Sequence, residues 1–287
     1  MDVSATISRL YVYPVKSCAG VALDHVTLTE TGLEFDRAWM VVDAHGQFVT
    51  QRELPRMALI QPQLKTFEMV LRAPGMLGLH MQLDKAEHAV QATVWKDTVP
   101  AFDMGDLAAQ WFSDFLGQPL RLVRFNPDHR RLSSAQWTGD AEGLNQFSDG
   151  YAVLVISEAS LDGLNLRLLA AGEATVAMER FRPNIVLAGI EAHDEDRLDE
   201  LLIATAQDGA HSPARLRMVK PCPRCPIPNI DPITALSTPT VGDMLQTYRQ
   251  TAVVEGAVAF GMNAIVLGGV DCELRVGQAA SADYKFD

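Results

Sequence analysis

The sequence contains no uninterrupted apolar run of the roughly 18 residues that a membrane-spanning helix requires. Its first residues, MDVSATISRLYVYPVKS, also lack the basic flank and long apolar stretch of a secretory signal. A cytoplasmic protein without a membrane span is the expectation. Cationic side chains are in deficit: 24 Lys and Arg stand against 36 Asp and Glu, a formal net charge of −12. That balance disfavours nucleic acid as a partner, because phosphate contacts need a dense basic surface. Cysteine occurs only four times, at Cys18, Cys222, Cys225 and Cys272. Four are too few for a disulfide framework in a chain of this length, so reduced thiols are expected. Apolar residues are plentiful by contrast, at 48% of 287 residues. They suffice for a sizeable core, in two modest domains or one large one.

The first hundred or so residues read as β structure. SRLYVYPV, VALDHVTL, AWMVVDAHGQFVT, TFEMVLRA, LGLHMQL and AVQATVW are short, rich in β-branched and aromatic residues, and separated by turn residues. A barrel or sandwich follows, with AHGQ and the KD after Trp95 as hairpin tips. From Asp106 the period changes, and Leu107, Trp111, Phe112, Phe115 and Leu116 are expected on one helical face before the stop at Gly117. The junction between two parts is placed near here. The stretch from Asn126 to Gly150 lacks periodicity and is expected to wander, mobile, over the surface near a site. YAVLVI reads as a buried strand leading into a helix that Ser157 or Ser160 can cap, and RFRPNIVLAG as a further strand. The run EAHDEDRLDE reads as a solvated acidic face without chemistry. After it come the strand FGMNAIVLG and the LRVGQ turn.

The most unusual stretch is KPCPRCPIPNIDP, residues 220–232, with two cysteines three apart among prolines. Pro226, Pro228 and Pro232 oppose the helix that a thioredoxin-type pair needs after its thiolate. A structural zinc site needs four ligands, whereas there is no second Cys-x-x-Cys and no spaced pair among the seven histidines. Two readings remain open: both thiols are small buried hydrophobes in a tight turn, or the stiff loop presents a thiolate to a soft metal. Lys220 and Arg224 would lower a neighbouring thiol's pKa. Basic and hydrogen-bonding residues flank strands elsewhere, at Lys16 and Ser17, at Arg37, and at Arg182 and Asn184. Singly each reads as a surface cation; together with the cysteine loop they suggest an anionic cofactor that also holds a thiophilic metal.

LYVYPVKSCAG, GLEFDRAWMVVD, SEASLDGLN, FRPNIVLAG, KPCPRCPIPNIDP and the TYR, FGMNAIVLGG, LRVGQ tail occur in that order between Arg9 and Gln278. This set resembles the MOSC proteins, named for the C-terminal domain of molybdenum cofactor sulfurase. The branch it is similar to carries an N-terminal MOSC β-barrel domain and includes the mitochondrial amidoxime-reducing component and its bacterial relatives. The resemblance implies a mainly β protein with α/β elements. Residues 1–120 would form the N-terminal MOSC β-barrel domain, and residues 121–287 a MOSC β-barrel domain with peripheral helices.

It implies further a molybdopterin-type molybdenum cofactor in the crevice between the two parts, with Cys225 as the metal ligand and the catalytic centre. Lys16, Ser17, Arg37, Arg182 and Asn184 would contact the pterin and its phosphate, with Ser157 and Arg224 as weaker candidates. The implied activity is reduction of a small N-hydroxylated or N-oxide compound. The competing implication is a sulfur carrier that uses a cysteine persulfide on Cys225 in cofactor maturation. Relatives often carry hydroxyl residues after the loop where this chain has Pro228 and Asn229, so substrate preference does not transfer. Asp231 is open as a proton donor or a turn cap. Some bacterial relatives continue into a fused ferredoxin-like domain, whereas this sequence stops at Asp287. Electrons are therefore expected from a separate ferredoxin or flavodoxin-type reductase system, docking on a basic patch at Arg130 and Arg131.

Overall fold

The computed structural model describes residues 2–85, 87–204 and 213–285. Its centre is a barrel closed by hydrogen bonds. The strand Val3–Val12 pairs with Ala279–Tyr284, followed around the ring by Leu198–Ile203, Ala214–Pro223, Ala259–Gly268, Val153–Ser157 and Ile185–Ala188, which returns to Val3–Val12. Closure leaves none of these strands as an unpaired edge. Only Val153–Ser157 and Ile185–Ala188 run parallel, and they are joined through the helix Glu158–Ala170, as a parallel pair requires. The mainly β expectation holds.

Alternation along the first strand explains how it faces two cores. Val3, Ala5 and Ile7 point into the barrel, the register shifts between Ile7 and Arg9, and Leu10 and Val12 then take the inward positions. The bulge changes the phase of the strand. Tyr11 and Tyr13 are thereby turned outward, into a second core with Leu161, Leu164 and Leu168 of the helix. A four-stranded sheet lies beside the barrel, in the order Trp39–Val42, Arg121–Phe125, Asp97–Asp103, Ala89–Val94, with a three-stranded sheet of Gln61–Leu64, Glu68–Arg72 and Leu79–Gln82. The expected boundary at residue 120 is thus crossed both ways: Val3–Val12 belongs to the barrel of the later strands, and Arg121–Phe125 pairs with Trp39–Val42.

Three expectations are corrected. The helix spans Asp106–Leu116 with Gly117 as its left-handed cap, but Leu107 is 73% exposed. Ala108, Trp111, Phe112 and Phe115 make the buried stripe, and Leu107 falls one position off it. The acidic run is not a solvated face. Glu195 is fully buried and accepts from the Ser160 hydroxyl (2.6 Å) and the Ser157 amide, while Asp196 accepts from Arg249. Burial pushes the carboxyls of Glu195 and Asp196 up, and it pulls the neighbouring His193 imidazole down to about 4.

The third correction concerns residues 126–150, which are tied down rather than wandering. Arg131, 6% exposed, donates to the Asn145 side chain, to the carbonyls of Gln146 and Ser148, and to Asp97. Phe147 is fully buried edge-on to Phe125. Arg131 is therefore an internal strut and no part of a docking patch, whereas Arg130 is an exposed cation paired with Glu30 and Glu142. Removing a buried, fully bonded guanidinium strands its acceptors, so Arg131→Ala is expected to cost about 3–5 kcal/mol of unfolding free energy in urea titration. Arg130→Ala is expected to stay within about 0.5 kcal/mol. Equal small effects in the two variants would contradict the strut.

Candidate active site

The bulge that turns Tyr13 outward sets up the site. Its ring lies 4.4 Å from the Arg37 guanidinium and 4.2 Å from that of Arg182, measured to the ring centroid. Arg37 donates to Asp36, to the Asn184 side-chain oxygen (3.0 Å) and to the Arg182 carbonyl (3.1 Å). Arg182 donates to the Cys18 carbonyl. Two cations share one ring with Asp36 as the adjacent carboxylate, and burial, then the charge of Arg37, lowers the Arg182 pKa to about 10. Burial likewise pushes the Tyr13 phenol up, and its hydroxyl is buried without a partner among the described residues. A bound anion would relieve the like charge.

Backbone geometry points to the same place. Ser17, Arg37 and Arg182 have φ of 66°, 49° and 58°, the left-handed region that costs a residue with a Cβ about 1 kcal/mol or more. Such strain persists only where surrounding contacts hold it, and it collects at functional sites. Lys16 is 5% exposed and donates to the Phe147 carbonyl (2.8 Å) and to Asp149. Burial lowers its pKa, and the Asp149 charge partly restores it. The segment secured by Arg131 thus supplies both acceptors of Lys16.

These residues line one cavity of about 200 Å³. Of the candidates named from sequence, Lys16, Ser17, Arg37, Arg182, Asn184, Arg224 and Cys225 all reach it. Ser157 does not. It is fully buried, and its hydroxyl accepts from the Ser160 amide (3.1 Å) as the cap of the helix Glu158–Ala170. Asn184 is 1% exposed and works behind the wall: it accepts from Arg37 and the Leu154 amide and donates to the Tyr11 carbonyl. Local pattern did not single out Tyr13, Arg52 or Asp149 as parts of the site, since each arrives through long-range packing.

The two thiols are distinct in their surroundings, and no disulfide links them. Arg224 donates to the Cys222 sulfur (3.1 Å) and to the Phe181 carbonyl (2.9 Å), while its Nε is buried without a partner among the described residues. Cys225, which lines the cavity together with Cys222, has no hydrogen-bond partner for its sulfur among the described residues. Asp231 accepts from the amides of Ile233 and Thr234 and from Arg180, so it is the turn cap. Burial alone would raise its pKa, but those donors outweigh it and hold the carboxyl below its usual value. In all, the lining carries the cations Lys16, Arg37, Arg52, Arg182, Lys220 and Arg224 against one carboxylate, Asp149. Fork-shaped donors beside a free thiol are a donor set suited to a phosphate-bearing ligand that also holds a soft metal. A molybdopterin-type cofactor fits that chemistry.

Comparison with known proteins agrees with the architecture. The family model of the MOSC N-terminal beta barrel domain matches residues 4–119, and that of the MOSC domain residues 142–281. Mitochondrial amidoxime reducing component 2 of Rattus norvegicus is 34% identical over 242 residues, 80% of this chain and 68% of that protein. Mitochondrial amidoxime-reducing component 1 of Homo sapiens is 35% identical over 257 residues, 85% of this chain and 72% of that protein. Molybdenum cofactor sulfurase of Bos taurus is 30% identical over 274 residues, 88% of this chain and 30% of that protein. With both domain models matched in order and the two amidoxime-reducing components aligned over about two thirds or more of their length, the chain belongs to the MOSC family.

Proposed function

We propose that this protein is a molybdenum-cofactor-dependent oxidoreductase that reduces N-hydroxylated or N-oxide compounds with electrons from a separate protein donor. The observation that carries the reading is the cavity in which Lys16, Arg37, Arg182 and Arg224 gather beside Cys225 with Asp149 as the one lining carboxylate. The similarity to amidoxime-reducing components supports the substrate class. When bound, the cofactor would supply two-electron removal of oxygen from nitrogen, which no side chain can perform alone.

The protein's part is to bind and orient. Cys225 would ligate the metal. Arg224 donates to the Cys222 sulfur, whereas the Cys225 sulfur accepts from no described residue. Arg37 and Arg182 would take the phosphate oxygens through their remaining N–H donors, and Asn184 fixes the plane of the Arg37 fork. Lys16 and Ser17, which line the same cavity, would contact the pterin. Among the described residues no helix is long and apolar enough to cross a membrane.

The similarity to molybdenum cofactor sulfurase favours a second reading, in which Cys225 carries sulfur as a persulfide. Metal and pterin content of the purified protein separates the two, because a reductase retains both and a carrier retains neither.

Two outcomes follow from the roles above. With a chemical reductant and an amidoxime substrate, Cys225→Ser should abolish turnover, whereas Cys222→Ser should keep most of it. Equal and complete loss in both variants would contradict the ligand assignment. In Arg37→Ala and Arg182→Ala, pterin occupancy should fall by about tenfold or more, since a lost charged hydrogen bond is worth about 1.5–3 kcal/mol. Fluorescence of the oxidised pterin measures it, and full occupancy in both variants would remove these residues from the site.

A further inference from the structure

A wider groove, about 1050 Å³, opens beside the inner cavity and shares Arg52, Asp149, Tyr151 and Lys220 with it. Its most exposed aromatic is held at a cost. Trp95 stands at the tip between the strands Ala89–Val94 and Asp97–Asp103, with φ of 55° and 44% of its surface in water. A bulky residue in that conformation is strained, and an exposed indole forfeits burial. Three contacts nevertheless fix it: Nε1 donates to Asp149 (3.1 Å), the Phe48 ring lies at 5.1 Å, and the Arg52 guanidinium lies 4.6 Å from the ring centroid.

Arg52 is oriented in turn. Its Nε donates to the Thr50 hydroxyl (3.1 Å), and its two terminal nitrogens have no partner among the described residues. Lys220, which with Arg52 lines both the cavity and the groove, lies 4.8 Å from the Trp137 ring centroid and likewise has no carboxylate partner among the described residues. The acids of the groove are already engaged: Asp149 by Lys16, Asp97 by Arg131, and Glu53 by the Thr50 amide and hydroxyl. In a chain with net charge −12, two cations resting on indoles rather than on carboxylates are an arrangement left open for an anion. Stacking on an indole also orders the cation beforehand, so less entropy is lost when the anion arrives.

We infer that Arg52 and Lys220 form an anion subsite at the mouth of the cavity. The substrate that uses it is a planar aromatic N-oxygenated compound bearing a carboxylate, with its ring on the Trp95 side of the groove. The inference rests on the reductase reading for the N-oxygenated group and on the groove alone for the ring and the charge. A phosphate of the cofactor would suit the same donors, and pterin content distinguishes that source from the substrate.

The test is calorimetric binding of benzamidoxime and of para-carboxybenzamidoxime to the purified holoprotein. The anionic compound should bind about tenfold more tightly, and Arg52→Gln or Lys220→Gln should each reduce that preference to about threefold or less. Added salt should weaken the preference further, because the mouth is open to solvent. Pterin content should stay at the wild-type level in both variants. Equal binding of the two compounds, or a preference that survives both substitutions, would overturn the subsite. Pterin loss in the variants would assign the two cations to the cofactor and overturn the substrate assignment. A binding preference without turnover would retain the subsite and remove the reductase reading alone.

Discussion

Two guanidinium groups sharing one buried tyrosine ring are the constraint on which the site depends. Arg37 and Arg182 approach Tyr13 together, and Asp36 is the carboxylate that bonds Arg37. Like charges at this separation are tolerable only if the backbone gives them no alternative. It gives none: both residues sit in the left-handed region, Arg37 is bonded to the Arg182 carbonyl, and Asn184 braces Arg37 from the barrel wall. The folded protein therefore gathers two guanidiniums against the single carboxylate of Asp36, a net positive focus before any ligand binds. Focused charge in a concave, partly dry site is worth more to an anion than the same charge on open surface.

Closure of the barrel by the first strand is what brings these groups together. Without the register shift after Ile7, Tyr13 would keep the inward phase of Val3 and Ala5 and leave the guanidiniums without their shared ring. The same chain end leads directly to Lys16 and Ser17, which the segment around Arg131 meets from the other side through Phe147 and Asp149. Barrel, loop and sheet thus each contribute one wall. A lesion in any of them, even one distant from the thiol, is transmitted to the cavity as a loss of geometry.

The legible part of the site was the part written in short stretches beside strands. Lys16 and Ser17, Arg37, Arg182 and Asn184, and the cysteine loop each lie in a few contiguous residues whose type and flanking signal a purpose, and the cavity gathers them all. Ser157 misled because a capping serine after a strand looks the same in sequence whether it faces a ligand or the Ser160 amide. The acidic run misled for a related reason. Composition reports charge density, whereas the burial of Glu195 depends on Ser157 and Ser160, which reach it from another element. Arg131 read as a surface cation because its four acceptors are set by the fold of the loop it organises. Arg52 carries no local mark and Lys220 was marked only as a neighbour of the thiols, since what distinguishes both is the lack of a carboxylate partner among the described residues.

The central claim is that the cavity holds a molybdenum cofactor through the sulfur of Cys225. X-ray absorption at the molybdenum edge of the purified protein tests it most directly, because the method counts sulfur neighbours of the metal whether or not the enzyme turns over. The account predicts one more sulfur neighbour in the wild-type protein than in the Cys225→Ser variant. A metal shell unchanged by that substitution, or protein purified with pterin-free cavities and no molybdenum, would contradict it.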